Sequence, residues 1–595
     1  MHKAHRKKRK RGKSGGCQQS ASGGKENAEP RGQETTTKRQ LDGPRIKDSN
    51  GAGLENREKP TTRRDDDNEL STDLAYDIKN SEIMGRYLVA SRDLLPGDLI
   101  IRADPLVVGP CAGCDIVCLG CYHPIITEDI YRCTRCKWPL CGPACPGLYQ
   151  SLGHSVQECT ILEEHSCPDQ EDIKDLYHAI VPLRCLIYKA SDPERWAAIN
   201  TMVAHNDIRK AKPDLWKYNQ LMVVDRIRKC WEMPQYSEDE IHTICGILEV
   251  NAFEVGPLGA SLRALYPRAY LLAHDCTPNT THTDDARRRL SVRAARHIQR
   301  GQAITLSYAY TLQSTHKRRE HLLESKFFNC TCERCTDPLE LGTYAGALLC
   351  PRCTNGDTKH DQNKIVEVTT KSSGSLTNDT TSDEDSSDRE IVGIVLPSHP
   401  LDQNASWKCN SCSNYTLSAN LVNALIQRIS DEYDLIDCND VDRFETFLRR
   451  YRNVLHPNHC LCLSAKLSLS QLYGKVDSHL IHQMTPPQLR RKRDICRDIL
   501  KVFDVIEPGF SRLRGTTLYE LHAPLMVLTT REYEKREITK AELRTRLVEV
   551  AKCLDESAKI LNIEPPDSSE GIMASAARDA LKQIKDWEKI IGKIL

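Results

Sequence analysis

No apolar run in this 595-residue chain approaches the roughly 18 residues that a membrane-spanning helix needs. The basic N-terminus also lacks a hydrophobic core, so it does not read as a secretory signal. An excess of charge of one sign is missing too. Lys and Arg number 83 against 82 Asp and Glu, leaving a formal net charge of +1. No global field therefore argues for a nucleic-acid or membrane partner. What the chain does have is cysteine, 27 in all. Without an export signal these thiols are expected in a reducing compartment, the nucleus or the cytoplasm, where metal ligation is favoured over disulfides. The length points to about two to four domains.

The cysteines are grouped. Cys118-x2-Cys121, Cys133-x2-Cys136, Cys141-x3-Cys145 and His154-x4-Cys159 lie within one short stretch. Seven thiols and one imidazole are enough for two tetrahedral zinc shells. Clustered cysteines can also be buried small hydrophobes or disulfides, but finger-like spacing of eight ligands argues for metal. Cys111-x2-Cys114 offers an alternative first pair. Both shells are complete without water, which makes the ions structural. Further on, Cys330-x-Cys332-x2-Cys335 supplies three more thiolates. Cys350-x2-Cys353 and Cys409-x2-Cys412 can close another tetrahedral site, the alternative being two pairs of buried thiols.

The remaining pattern suggests how these groups are carried. Residues 1–80 are polar and basic, and too poor in apolar side chains to offset chain entropy, so a disordered tail is expected there. Its run Arg6-Lys7-Lys8-Arg9-Lys10-Arg11 reads as a nuclear-import signal, a nucleic-acid patch or simply a solvated tail. Order is expected from near Gly85, with Tyr87–Ala90 and Asp98–Ile101 forming a β-hairpin around Pro96-Gly97. Helical periodicity follows in 160–250, as at Leu176, Ile180, Leu183 and Leu186. Short strands are expected at 290–298 and 303–308, about a turn at Arg300-Gly301. A Ser/Thr/Asp/Glu tract at 369–391, with Ser382–Asp388 at its centre, reads as a flexible acidic loop. From about 415 onward the pattern is helical. One face is Leu547, Val550, Ala551, Leu554, Ala558 and Leu561. A second, beyond Pro565-Pro566, is Met573, Ala576, Ala577, Ala580, Leu581, Ile584 and Trp587. Paired helices of this kind build either a repeat array or an ordinary bundle.

Several motifs, taken in order, resemble the SMYD family, in which a MYND zinc module interrupts a SET methyltransferase domain. They are Gly85–Ala90, Pro105–Val108 and the first cysteine cluster; then Val250-Asn251-Ala252-Phe253, Ala273–Asn279 and Ile304–Tyr308; then Phe328–Cys335 and Leu455–His459. Lys326-x-Phe328 and Asp337-Pro338-x-Glu340-x-Gly342-Thr343 look most like the arthropod-type branch. The resemblance implies an α+β fold. A SET β-fold would be interrupted by a MYND finger and a helical insert, then followed by a cysteine-rich post-SET region and an all-helical, TPR-like C-terminal domain. The implied segments are an N-terminal SET part at 81–110, the finger at 111–159 and the helical insert at 160–245. The SET core would occupy 246–325, the post-SET region 326–368 and the acidic loop 369–400. A second zinc-knuckle half and the helical domain would fill 401–595.

The resemblance also implies roles. In a cross-braced finger Cys118, Cys121, Cys141 and Cys145 hold one zinc, and Cys133, Cys136, His154 and Cys159 the other. Cys276 becomes the fourth ligand beside Cys330, Cys332 and Cys335. Tyr308 would be the catalytic tyrosine of methyl transfer from S-adenosylmethionine to a lysine amine. Gly85, Arg86, Asn251, His274 and Phe328 would contact that cofactor. Four positions depart from the family pattern. Tyr87 replaces the second glycine of Gly-x-Gly, and Ala273 and Asp275 replace Asn and Ser. Lys326 stands where a second channel tyrosine is common. Two functions are therefore expected in competition. One is a protein-lysine N-methyltransferase acting on histone or other protein tails in transcriptional regulation. The other is a weakly active or inactive adaptor whose finger binds proline-rich corepressor peptides, such as those of histone deacetylase complexes. Direct DNA binding is expected to be non-specific at most, and the chain to be a monomer.

Overall fold

The computed structural model describes residues 74–126, 129–165, 170–256, 261–354, 393–412 and 414–593. The basic run at 6–11 and the acidic tract at 382–388 lie outside them.

The α+β expectation holds. The first strands are β1 (Tyr76–Ser81), β2 (Gly85–Ala90), β3 (Leu99–Ala103) and β4 (Val107–Pro110). After the finger and helical insert come β5 (Phe253–Val255), β6 (Leu262–Leu265), β7 (Ala273–His274), β8 (Thr280–Asp284), β9 (Leu290–Ala294) and β10 (Thr305–Leu306). They form small sheets: β1–β2, β3–β9–β8, β4–β6–β5 and a parallel β7–β10 pair. A further sheet, β11 (Leu348–Leu349), β12 (Ile394–Pro397), β13 (Trp407–Cys409) and β14 (Thr416–Leu417), lies beyond the SET part.

Two expectations fail here. Order does not begin at Gly85, because Tyr76–Ser81 pairs antiparallel with Gly85–Ala90, Tyr76 opposite Ala90 and Ser81 opposite Gly85. β1 is an edge strand whose middle residues are all exposed, so it carries no apolar alternation. Nor do Tyr87–Ala90 and Asp98–Ile101 form a hairpin. The segment after Pro96-Gly97 pairs with β9, where Ile101 faces Val292 and Ala103 faces Leu290. Leu94 is likewise bridged to the distant Ile298. Local turn chemistry loses to long-range pairing between strands whose apolar side chains, Ile100, Ile101, Leu290 and Val292, are buried. The strands expected at 290–298 and 303–308 form in shorter versions and belong to different sheets.

Among the helices, α1 (Val156–Glu163) closes the finger and α2 (Gln170–Ser191) packs against β4. Leu176, Ile180, Leu183 and Leu186 are all buried on α2, as their spacing predicts. The insert continues through α3 (Pro193–Asn200), α4 (Asn206–Lys210), α5 (Pro213–Asn219) and α6 (Glu238–Asn251). Ser237 caps α6, its hydroxyl accepting from Glu240 N–H. Then come α7 (Thr315–Ser325), α8 (Glu333–Thr336), α9 (Pro351–Thr354) and the C-terminal helices α10 (Ala419–Asp434), α11 (Val441–Tyr451), α12 (Cys460–Leu472), α13 (Pro486–Ile506), α14 (Arg512–Glu534), α15 (Lys540–Leu561) and α16 (Ser569–Lys593). From α11 to α16 each helix packs on the next, as in a repeat array or an up-and-down bundle. Leu547, Val550, Leu554, Ala558 and Leu561 are buried on α15, as are Ala577 and Ile584 on α16. No described helix is long and apolar enough to cross a membrane.

The C-terminal helical region is joined by backbone to the chain that precedes it, just after β9 and around β11. Phe510 N–H donates to Ala295 O at 2.8 Å, Cys460 N–H to Ala345 O at 2.8 Å and Leu349 N–H to Val454 O at 2.9 Å.

Candidate metal centres and candidate active site

Four groups of four ligands converge. They are Cys118, Cys121, Cys141 and Cys145; Cys133, Cys136, His154 and Cys159; Cys276, Cys330, Cys332 and Cys335; and Cys350, Cys353, Cys409 and Cys412. Within each group the ligand atoms lie within 4.8 Å of one another. A tetrahedral zinc with Zn–S bonds near 2.3 Å requires S···S edges of about 3.8 Å. The closest pairs measure 3.5 Å for Cys118–Cys145 and Cys121–Cys141, and 3.7 Å for Cys133–Cys159. In the third group Cys276 lies 3.6 Å from Cys335 and 3.9 Å from Cys330; in the fourth, Cys353–Cys409 is 3.8 Å. The donor sets fit zinc. Cys111 and Cys114 join none of these groups.

The chain is shaped around the ligands. A Cβ on Gly120 would stand 2.6 Å from Cys145 Sγ, and one on Gly393 would stand 2.5 Å from Cys353 Sγ. Neither position accepts a larger residue without moving a ligand. In the fourth group the backbone N–H of Ser411 and of Cys412 both donate to Cys409 Sγ, at 3.4 and 3.3 Å. Such bonds stabilise a thiolate.

The second site has an outer layer that sequence reading missed. His154 sets Nε2 3.2 Å from Cys136 Sγ, and its Nδ1–H donates to Glu158 Oε1 at 2.7 Å. Glu158 is in turn gripped by Arg184, which donates to both of its carboxylate oxygens and also to Val108 O, Leu119 O and Tyr122 Oη. His154, Glu158 and Arg184 are all buried. Burial alone would raise the Glu158 carboxyl, but the Arg184 guanidinium outweighs it and holds the pKa below the ordinary range. The carboxylate fixes the imidazole tautomer that leaves Nε2 free to ligate. The spacing His154-x3-Glu158 was the available signal.

The third site is bordered by charge. Arg318 Nη2 donates to Cys335 Sγ at 3.6 Å, and Arg334 Nη1 to Cys276 O at 3.5 Å. Both guanidiniums also reach Glu340 Oε2, at 2.7 and 3.1 Å. Glu340 accepts from Thr315 N–H as well, at 3.0 Å. With zinc bound to four thiolates, these two buried arginines would offset the negative charge of the group.

Tyr308 follows β10 and stands next to this third site. Its hydroxyl donates to Leu272 O, and its backbone N–H donates to His274 Nδ1 at 3.0 Å. Burial pushes the phenol above its ordinary pKa, so it stays protonated. His274 Nε2 in turn lies 3.3 Å from Cys276 Sγ, so both ring nitrogens have partners within the protein. Phe328 packs with its ring centroid 5.7 Å from that of His274.

The other candidate cofactor residues face one loop. Arg86 donates to Thr201 O and lies over the Tyr270 ring at 5.7 Å. Asn251 Nδ2 donates to Val203 O and Ile247 O at 3.0 and 2.9 Å, which leaves Oδ1 to serve as an acceptor. Gly85 has φ of +62°, and nothing lies within 4 Å of where its Cβ would be. An open backbone at Gly85 and an aromatic wall at Phe328 suit S-adenosylmethionine; the side-chain donors are fewer than expected. The departures are also placed. Lys326 turns away from Tyr308 and caps α6, its Nζ donating to Glu249 O and Val250 O at 2.9 Å each. Asp275 accepts from Thr277 N–H at 2.8 Å, and burial pushes its pKa up to about 6.

Comparison with known proteins agrees with this arrangement. Residues 85–309 match the SET domain family model. The SET domain-containing protein SmydA-8 of Drosophila melanogaster is 28% identical to the chain in isoform A, over 46% of the chain and 59% of that protein. Isoform B is 31% identical, over 46% and 61%. Histone-lysine N-methyltransferase SMYD3 of Mus musculus is 26% identical, over 42% of the chain and 59% of its own length. The chain thus spans about three fifths of the curated relatives it matches.

Proposed function

From a chain of the SMYD family, with its SET domain split by a zinc module, we propose a protein-lysine N-methyltransferase that uses S-adenosylmethionine. The observation that carries this reading is the meeting of the Tyr308 hydroxyl and the Leu272 carbonyl beside the β7–β10 pair. Two oxygens at one point can orient an incoming amine and a polarised methyl group. S-adenosylmethionine supplies an electrophilic sulfonium methyl when bound. Gly85 and Arg86 would hold its methionine end, Asn251 would accept through Oδ1, and Phe328 would pack on its adenine. Withdrawal of the Lys326 ammonium into the α6 cap removes a charge that would oppose a cationic substrate. The substrate class is a lysine-bearing histone or other protein tail, and the setting is transcriptional regulation in the nucleus or cytoplasm. The metal complement is four zinc ions per chain, three beside the SET part and one at the Cys350–Cys412 knuckles. The test is calorimetric titration with S-adenosylmethionine, followed by transfer of labelled methyl to a histone mixture, each repeated on Tyr308→Phe. Binding with transfer that depends on Tyr308 supports the reading, and no heat at millimolar cofactor refutes it.

A second reading is favoured by one specific observation. Arg86 and Asn251 already satisfy Thr201 O and Val203 O, and Ala273 offers no side-chain amide. A SET scaffold whose donors are spent internally suits an adaptor, with proline-rich corepressor peptides bound at the finger. Capture of such peptides by a chain that gives no cofactor heat would favour it.

A further inference from the structure

We propose that His274 is a positioning residue that ties the placement of Tyr308 to metal occupancy of the Cys276–Cys330–Cys332–Cys335 site. The geometry is a relay through one ring. Nδ1 of His274 accepts the Tyr308 backbone N–H at 3.0 Å, so Nε2–H faces Cys276 Sγ at 3.3 Å. Cys276 is itself a member of the third ligand group. With a metal bound, that sulfur is a thiolate fixed in direction, and an N–H bond to it fixes the imidazole plane. The imidazole then fixes the backbone of Tyr308. The tyrosine's other end is set by the same short segment, because its hydroxyl donates to Leu272 O. Leu272 directly precedes β7 (Ala273–His274) and Cys276 follows it by two residues, so the carbonyl, the ring and the sulfur all come from five consecutive residues.

A second edge of the same cage leads back to the metal. The His274 ring lies 5.2 Å from the Tyr308 ring and 5.7 Å from that of Phe328, two residues before the ligand Cys330. Without metal, nothing ties the Cys276 sulfur to the other three cysteines of the group, and the contact from His274 Nε2 loses its fixed partner. Tyr308 then loses the anchor on its N–H. The third site is in this account more than a staple for the post-SET segment, since its occupancy sets where the tyrosine sits. The inference draws its importance from the methyltransferase reading, but its test needs neither cofactor nor substrate.

The experiment is ¹⁹F NMR on the full chain labelled with fluorotyrosine, the Tyr308 resonance being the one lost in Tyr308→Phe. Zinc is exchanged for the larger cadmium ion, with metal content followed by elemental analysis. In the wild-type chain the Tyr308 resonance is expected to shift on exchange. In His274→Phe, which keeps the aromatic bulk and removes both nitrogens, metal content is expected to hold while the exchange-linked shift disappears. Cys412→Ser removes a ligand of the fourth site only and is expected to keep the full shift. Cys332→Ser, which touches neither His274 nor Tyr308, is expected to lose one metal and displace the resonance without cadmium. An exchange shift equal in the wild type and His274→Phe overturns the proposal, as does a wild-type Tyr308 resonance that does not respond to exchange. If Cys332→Ser fails to fold, the comparison of wild type with His274→Phe still decides. A chain that never transfers methyl groups leaves these outcomes intact.

Discussion

A zinc-bound imidazole must have its outer nitrogen held, and in this chain Glu158 holds it with Arg184 behind. Glu158→Gln is expected to lower zinc affinity at the Cys133–Cys159 site by about 10- to 100-fold, read by chelator competition. Unchanged affinity would show the carboxylate to be dispensable. Buried histidines give a second prediction at this scale. His242, His456 and His459 are pushed down to about 4, first by burial and then by nearby Arg209 for His242, Lys466 for His456 and His456 for His459. Their unfolded values lie near 6.5, so between pH 6.5 and 4 the unfolded chain binds more protons. Stability is therefore full above pH 6.5 and lost as pH falls through that window. Tm is expected to be lower at pH 5 than at pH 7, with zinc content measured alongside. Equal Tm with metal retained would contradict it. At this scale the ligand cysteines were legible because metal spacing is local. Glu158 stands one helical turn from its histidine and was legible too, whereas Arg184, Glu340 and the bond from Tyr308 to His274 depend on contacts between distant segments that no spacing encodes.

At the scale of elements, sequence reading succeeded where a face is buried on one side. Leu547 to Leu561 on α15 repeat at helical spacing because one stripe of that helix is in the core, while α2 is buried on nearly every side from Leu176 to Tyr188 and its leucines mark only part of what is inside. It failed for β1, whose exposed residues have no alternation to read, and for the hairpin around Pro96-Gly97, whose first arm pairs with β1 and whose second pairs with β9, nearly two hundred residues away. The post-SET turn carries its own prediction. Glu340 is the carboxylate shared by Arg318, Arg334 and the start of α7. Glu340→Gln leaves two buried guanidiniums short of a counter-charge and is expected to destabilise the chain by about 3–5 kcal/mol in denaturant titration. A change below about 1 kcal/mol would mean the arginines are neutralised elsewhere. The outcome is independent of catalysis.

At the scale of the whole molecule, the finger lies between β4 and α2, and the C-terminal helical region is sewn to the SET part by the Phe510–Ala295 bond and to the segment around β11 by bonds at Cys460 and Leu349. Four ligand groups along the chain each bring together cysteines from separate segments. Elemental analysis is expected to find about four zincs per chain, and two or fewer would contradict the third and fourth sites. Whether this assembly turns over depends on one small region, where Tyr308 meets Leu272 and the side-chain donors for a cofactor are sparse. The most direct measurement is transfer of labelled methyl from S-adenosylmethionine to a histone mixture by the full chain, alongside Tyr308→Phe. The account predicts transfer by the wild type that falls at least tenfold in Tyr308→Phe. Equal transfer by both would contradict the role given to Tyr308, and no transfer with no cofactor binding would contradict the enzyme itself.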